Sequence, residues 1–147
     1  MATDMAIFLP HRPLAASLDM EDRIILWSLR TWLCCAHSGK SPRTALFHGL
    51  APFGLEGWSR TVGPFMEAAI AAWPDPLRLH PIGCGCAISY DESLLLFCTE
   101  TALLGARAPF DAVLKDMAGQ AERDRLWGAA RRLRTGETLN LREQSRP

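Results

Sequence analysis

The stretch SYDESLLLFCTETALL, residues 89–104, decides the fold prediction. Ser89 and Glu92 have the spacing of a capping box, in which each of the two side chains bonds a backbone N–H of the other residue at a helix start. Wrapped on a helix, the apolar residues that follow cover nearly every side, which is typical of the central helix of a domain. The stretch therefore predicts a central apolar helix over about residues 90–104, ended by Gly105.

Apolar residues recur with helical spacing on both sides of this stretch. In the first such segment, Trp27, Arg23, Ser28 and Arg30 fall away from the main apolar face. The predicted helices cover about residues 17–38 or 19–38 (capped by Ser17 or Asp19), 42–50, 55–73 (with a kink or restart at Gly63-Pro64), 108–118 and 120–134. Because no series of alternating strands accompanies them, the prediction is an all-α fold of five to six helices in orthogonal or bundle-like packing around the central one.

The length of 147 residues fits one domain. Residues 1–16 contain two prolines and no sustained period, so we expect an irregular N-terminal leader. A single helical domain is predicted over residues 17–136, and Gly136 is expected to cap the last helix. Residues 137–147 then form a polar C-terminal tail.

The chain carries 16 basic and 16 acidic residues, and this zero net charge argues against a protein that coats nucleic acid or an acidic membrane. The balance conceals an asymmetry, since residues 120–147 hold 7 basic and 4 acidic side chains. The predicted helix over 120–134 is therefore basic and amphipathic. A solvated surface is the usual role of such a helix, but it is also a candidate surface for a protein partner or nucleic acid, through Arg123, Trp127, Arg131 and Arg134.

The compartment is predicted from the N-terminus, the apolar runs and the cysteines. The first ten residues lack the features of a signal peptide, and no uninterrupted apolar run reaches 18 residues. The five cysteines are an odd number in a chain large enough to need no disulfides. We therefore expect a cytoplasmic protein with reduced cysteines and no association with membranes.

The interior loop over residues 74–89 contains the residues best suited to metal binding or thiol chemistry, namely His80, Cys84 and Cys86. Imidazole and thiolate are the ligands that zinc prefers, and the glycines at 83 and 85 let the backbone fold tightly. We expect further ligands from Cys34, His37 or Cys98, because Cys34 and His37 share a helix face.

Other roles fit the same cysteines. Thiols packed in a Gly-rich turn are the simplest interpretation, and Cys98, set among leucines, is expected to be a core residue. Cys84 and Cys86 also suit a redox pair, or a nucleophile beside His80. The sequence leaves open whether the protein is an enzyme.

Trp27, which falls away from the main apolar face of its helix, is predicted to be exposed or to contact another chain. Because exposed aromatic residues are enriched at interfaces, a homodimer is the expected assembly.

The segment Ile24–Arg30, the cysteine-bearing turn and the leucine-rich helix after Ser89 together resemble a family of short bacterial helical proteins of unknown function. The resemblance spans roughly residues 20–134. It implies a helical fold and adjacent cysteines in the turn, whereas here Gly85 separates Cys84 from Cys86. The family brings no activity with it.

The leading functional prediction is a small soluble protein that acts by binding, as a regulatory or adaptor module, with a metal or thiol site in the 80–86 turn. The alternatives are a metal- or thiol-dependent enzyme or redox sensor at the same turn, and nucleic-acid or protein binding through the basic helix over 120–134.

Overall fold

The computed structural model describes residues 13–144, and its side chains are described for residues 13–133. This part of the chain contains helices and no strand, which confirms the all-α prediction. The six α-helices are α1 (Met20–Ser38), α2 (Pro42–Leu50), α3 (Trp58–Ala72), α4 (Tyr90–Leu104), α5 (Arg107–Leu114) and α6 (Gln120–Gln144). Short 3₁₀ turns lie at Ala15–Ser17 and Ala51–Phe53.

Helix α4 begins and ends as the sequence predicts. The Ser89 hydroxyl accepts a hydrogen bond from the Glu92 N–H, and the Glu92 carboxylate accepts one from the Ser89 N–H, which completes the capping box. Gly105 ends the helix with a φ of 69°, in the left-handed region that favours glycine. Most of α4 is buried, and it packs against α1, α5 and α6. The prediction of a central apolar helix is confirmed.

The first three helices form a second group of packed elements. Asp19 caps α1 by accepting a hydrogen bond from the Asp22 N–H at 2.8 Å, and Gly39 ends it with a φ of 74°. Helix α2 begins at Pro42 behind the capping residue Ser41, as predicted, and α3 contains Pro64. The helix predicted from residue 55 begins only at Trp58, because residues 55–57 form turns.

The structure corrects the predicted polar side of α1. Ser28 is fully buried and Arg30 is only 5% exposed, although both fall outside the main apolar face of the helix. For Arg30 the reason lies in the tertiary packing, because Arg30 pairs with Glu92 at the start of α4 and donates to the Cys84 carbonyl in the loop after α3. The Ser28 hydroxyl donates to the Ile24 carbonyl, so its burial leaves no unsatisfied donor.

The C-terminal helix is longer than predicted. The predicted end at Arg134, with a cap at Gly136, is wrong, because α6 continues to Gln144. A glycine inside a helix costs about 1 kcal/mol relative to alanine, which is too little to stop a helix whose following residues include Leu141, Arg142 and Glu143. Residues 137–144 are therefore helical rather than a separate tail, and residues 145–147 lie outside the described part.

The end of the predicted leader is tied to the long loop before α4. Leu14 and Ala87 form an antiparallel bridge, in which the Ala15 N–H donates to the Cys86 carbonyl and the Ile88 N–H donates to the Pro13 carbonyl. Residues 1–12, the rest of the predicted leader, lie outside the described residues. The bridge fixes the position of the cysteine-bearing turn from one side.

Candidate metal and thiol site

The candidate site is built on a tight turn between α3 and α4. The Cys84 N–H donates to the Pro81 carbonyl at 3.1 Å, which closes a four-residue turn. Gly83, the third residue of the turn, has a φ of 83°, the conformation that a type II turn requires at this position. The turn brings Cys84 and Cys86 together as a disulfide, with their Cα atoms 5.6 Å apart.

His80 lies beside the two sulfurs. One imidazole nitrogen of His80 and the Sγ atoms of Cys84 and Cys86 all lie within 4.8 Å of one another. Cys86 is exposed, whereas His80 and Cys84 are half-buried. Once the disulfide is reduced, two thiolates and an imidazole nitrogen are donors that suit a thiophilic metal ion.

A buried ion pair underlies the turn. The Arg30 Nε donates to the Glu92 Oε2 at 2.6 Å, and the Arg30 Nη2 donates to the Glu92 Oε1 at 3.1 Å. The remaining Arg30 nitrogen, Nη1, donates to the Cys84 carbonyl at 2.9 Å. Because a guanidinium presents its donors in a rigid planar fork, Arg30 fixes the backbone of Cys84 relative to α1 and α4.

Glu92 also connects the two sides of the loop that carries the turn. Its carboxylate accepts hydrogen bonds from the backbone N–H of His80 at 3.2 Å and of Ser89 at 2.8 Å. Burial alone raises the pKa of Glu92, but the hydrogen bonds from Arg30, Ser89 and His80 and the charge of Arg30 outweigh it. The pKa of Glu92 is therefore lowered, and its carboxylate stays charged.

The structure does not bring the other three predicted ligands into this cluster. Cys98 lies fully buried in the core, and burial raises the pKa of its thiol far above the ordinary range, as expected for a core residue. Cys34 and His37 are exposed on the last turns of α1, one and two turns beyond Arg30. Within residues 13–133, the potential metal ligands that cluster are His80, Cys84 and Cys86.

Two of the predicted partner-binding residues of α6, Arg123 and Trp127, contact other parts of the domain. Arg123 donates to Asp111 and to the Ala118 carbonyl, and the Trp127 ring packs edge-on against Phe110. The Arg131 guanidinium lies 6.0 Å from the centre of the Trp127 ring. The side chain of Arg134 lies outside the described part, so three of the four predicted partner-binding residues are seen here in contacts within their own chain.

Trp27 is half-buried and lies across α2. A Cβ atom added at Gly49 would overlap the Trp27 ring, so the indole occupies the space that a larger residue would fill. Trp27 is thus half-buried rather than exposed and packs within the domain, while its predicted contact to another chain stays a prediction. The homodimer stays a prediction.

The prediction of reduced cysteines differs from the structure at one position, the Cys84–Cys86 disulfide, while Cys34, Cys35 and Cys98 are free. This pairing corresponds to the redox-pair alternative considered for the sequence. None of the helices in the described residues is long and apolar enough to cross a membrane.

Sequence reasoning missed the role of Arg30 and gave Glu92 only its helix-start role. A signal was present, because Arg30 is the one charged residue of the mostly apolar segment 24–36, and an arginine buried there requires a carboxylate partner. What the sequence lacked was the identity of that partner, which lies 62 residues away along the chain.

Comparison with models of known protein families, with curated proteins and with solved structures found no match to this chain. Membership of the resembled helical family stays a prediction. The functional argument therefore rests on the geometry of the turn.

Proposed function

We propose that this protein is a small helical binding protein that takes up a thiophilic divalent metal ion, with zinc as the first candidate, through His80, Cys84 and Cys86. The observation that carries the proposal is the placement of these three donor atoms within 4.8 Å of one another. The buried Arg30–Glu92 pair supports it, because it holds the backbone at both His80 and Cys84.

The donor set must open before it can hold a tetrahedral ion, because the two sulfurs are joined in the disulfide. Zn–S distances of about 2.3 Å and Zn–N distances of about 2.0–2.1 Å put neighbouring donors roughly 3.6–3.8 Å apart. A Cβ atom at either Gly83 or Gly85 would meet nothing within 4 Å, so the turn is uncrowded at these two positions. Three protein donors leave the fourth position of a tetrahedral ion open.

Metal binding requires that the disulfide first be reduced. Two thiol molecules, such as a glutathione-type reductant, supply the electrons and protons: the Cys84–Cys86 bond breaks, two cysteine thiols form, and the reductant leaves as its own disulfide. The ion then displaces a proton from each thiol and binds the neutral imidazole of His80. Oxidation and metal occupancy are therefore mutually exclusive states of the same two sulfurs.

The test is a metal titration of the full chain in a non-coordinating phosphine reductant. We expect the reduced protein to bind about one equivalent of Zn²⁺ or Cd²⁺, with the ultraviolet charge-transfer band of metal–thiolate bonds. Cys84→Ser and Cys86→Ser should each weaken binding at least about tenfold, since each removes a thiolate donor. Cys34→Ser is the matched control, because Cys34 is an exposed cysteine outside the cluster.

Binding of less than about 0.2 equivalents by the reduced wild type contradicts the proposal. So does binding that is unchanged in the Cys84 and Cys86 variants, because the ion would then sit elsewhere.

A second candidate function is thiol–disulfide sensing, favoured by the Cys84–Cys86 disulfide and the exposure of Cys86. Equilibration with glutathione buffers separates this role from a purely structural disulfide. A sensor is expected to change state near the cytosolic glutathione poise, whereas structural disulfides resist reduction by the glutathione pool.

A further inference from the structure

A small pocket lies between helix α1 and the cysteine-bearing turn. Its volume of about 200 Å³ is below the range of about 300–1,000 Å³ that is usual for pockets of drug-sized ligands, so it has room for a small molecule of a few heavy atoms. Cys84 and the two glycines beside it line the pocket from the turn, and Arg23 and Trp27 line it from α1. Cys86 is not among the lining residues, so the pocket gives access to one cysteine of the disulfide.

The pocket carries one positive charge that the domain does not neutralise. Two arginines of α1 line it, Arg23 and Arg30, and Arg30 is buried and paired with Glu92. The Arg23 side chain is exposed, and among the residues that the structure describes it has no hydrogen-bond or ion-pair partner. Since the described lining contains no acidic side chain, the pocket favours a small ligand with an anionic group.

The disulfide beside this pocket can react with a thiol. A thiolate attacks one sulfur of a disulfide, the S–S bond breaks, and the other sulfur leaves as a thiolate. Cys86 is the more exposed of the two cysteines, so exposure alone would direct the attack to Cys86. A thiol held in the pocket meets Cys84 instead, and the departing Cys86 thiolate then lies at an exposed position, where water stabilises its charge.

We propose that the pocket docks a low-molecular-weight thiol that carries a carboxylate, and that this thiol opens the disulfide at Cys84. Arg23 pairs with the carboxylate, the thiol sulfur bonds to the Cys84 sulfur, and the proton that the thiol gives up ends on Cys86. A second thiol molecule then attacks the sulfur of the first, so that Cys84 is released as a thiol and the reductant leaves as its own disulfide. This inference rests on the thiol–disulfide exchange proposed above, and it adds the class of reductant and the cysteine that is attacked.

The test compares the reduction of the oxidised full chain by 3-mercaptopropionate, which carries a carboxylate, and by the uncharged 2-mercaptoethanol. At an ionic strength of about 0.1 M we expect Arg23→Gln to react about two- to fivefold more slowly than the wild type with 3-mercaptopropionate, because one exposed ion pair is lost. Its rate with 2-mercaptoethanol should equal that of the wild type. Comparing the two proteins with the same thiol cancels the difference in reactivity between the thiols.

Arg60→Gln is the matched control, because Arg60 is an exposed arginine on α3 that does not line this pocket. It removes the same charge from the chain and should leave both rates unchanged. In about 1 M salt, where charges are screened beyond about 3 Å, the difference between the wild type and Arg23→Gln should disappear.

Single-cysteine variants identify the sulfur that is attacked. Cys86→Ser and Cys84→Ser each leave one cysteine of the pair, which 3,3′-dithiodipropionate converts to a mixed disulfide with 3-mercaptopropionate. Adding Arg23→Gln should slow this reaction at Cys84 and leave it unchanged at Cys86. Mass spectrometry of peptides reads each cysteine separately.

Three results overturn this inference: an equal effect of Arg23→Gln on both thiols or on neither, an equal effect of Arg60→Gln, and a dependence on Arg23 at Cys86 rather than at Cys84. Each of them leaves the proposed metal site standing, since the metal titration uses a phosphine that needs no carboxylate. A disulfide that neither thiol reduces overturns both this inference and the sensing role.

Discussion

Glu92 connects three parts of the chain through a single carboxylate. It pairs with Arg30 on α1, accepts the backbone N–H of His80 in the loop, and accepts the N–H of Ser89 at the start of its own helix. Ion pairs that are fully removed from water persist only when their remaining hydrogen-bonding groups are satisfied, and here the backbone supplies the partners. The geometry of the cysteine-bearing turn therefore depends on the charge of this side chain.

Replacing this carboxylate tests that dependence. Glu92→Gln leaves the buried guanidinium of Arg30 without a counter-charge, so we expect the free energy of unfolding at pH 7 to fall by about 3–5 kcal/mol. Urea denaturation followed by circular dichroism measures the loss. Glu100→Gln, at an exposed position of the same helix, is the matched control and should change stability by less than about 0.5 kcal/mol.

The same pair predicts a pH dependence. Because the pKa of Glu92 is lowered in the folded protein, its contribution to stability is present in full above the ordinary pKa of about 4.3, and it is lost as the pH falls through the lower folded value. The wild type should therefore lose stability from about pH 5 downward, more steeply than Glu92→Gln. Equal slopes in the two proteins would show that Glu92 is not the responsible group.

The role of a residue could be predicted from the sequence where the signal lies among its near neighbours in the chain. The capping roles of Ser89 and Glu92 were predictable because a capping box spans only four residues. Cys98 was predictable as a core residue because leucines surround it in sequence. The pairing of Arg30 with Glu92 was not, because it depends on how helices far apart in sequence pack together.

At the scale of the elements, α1 and α2 approach each other through Trp27 and Gly49. The absence of a side chain at position 49 leaves the space that the indole ring occupies. The sequence predicted both helices but placed Trp27 outside the apolar face, because helical periodicity describes one helix at a time. A ring that packs across a neighbouring glycine becomes visible only when the two helices are seen together.

The close approach of α1 and α2 at Gly49 predicts that alanine substitutions at Gly49 and at Gly128 change stability in opposite directions. Gly49→Ala should destabilise the protein by about 1–3 kcal/mol, since the new methyl group overlaps the Trp27 ring and forces it to move. Gly128→Ala in α6 is the matched control. A Cβ atom there meets nothing nearer than 3.8 Å, so the gain in helix propensity should stabilise by roughly 0.5–1 kcal/mol.

Thermal unfolding of the two variants beside the wild type measures both effects. A Gly49 variant as stable as the wild type would mean that Trp27 does not occupy this position.

The ends of the helices were predicted less well than their existence. The stops at Gly39 and Gly105 were correct because both glycines adopt a positive φ. Gly136 looked similar in the sequence, yet α6 passes through it. A glycine ends a helix only where the chain turns away, and the residues after Gly136 include good helix formers and no proline before residue 147.

Across the whole molecule, the five cysteines differ in accessibility, and this gives a prediction for thiol labelling. In the oxidised protein we expect iodoacetamide to modify Cys34 alone, since Cys84 and Cys86 are paired and Cys35 and Cys98 are buried. Reduction without unfolding should add Cys86 and then the half-buried Cys84. Cys98 should react only after unfolding, because burial raises the pKa of its thiol and excludes the reagent.

Mass spectrometry of peptides from the three conditions gives the order directly. Modification of Cys84 and Cys86 before reduction would contradict the disulfide, and modification of Cys98 in the folded protein would contradict its place in the core.

The sequence predicted the loop and the ligand types of the candidate site, but it did not predict which distant residues join them. The loop was evident from its prolines and glycines, and the ligand types of His80, Cys84 and Cys86 were evident from the sequence. Which distant residues join them depends on the packing of α1 and α4, and the structure brings Arg30 to the turn rather than Cys34 or His37. The packing of the helices thus places the Arg30 guanidinium at the turn, where it fixes the backbone. The sequence had suggested a further metal ligand at this place.

The backbone bonds between residues 13–15 and residues 86–88 affect how the protein should be purified. They place residue 13 beside Ile88 and residue 15 beside Cys86, and an extended chain spans up to about 3.6 Å per residue. A polyhistidine tag fused to the N-terminus is then within reach of the turn and would supply foreign imidazoles to any ion there. Fusion behind α6, or removal of the tag by a protease, keeps the measured metal stoichiometry a property of the protein itself.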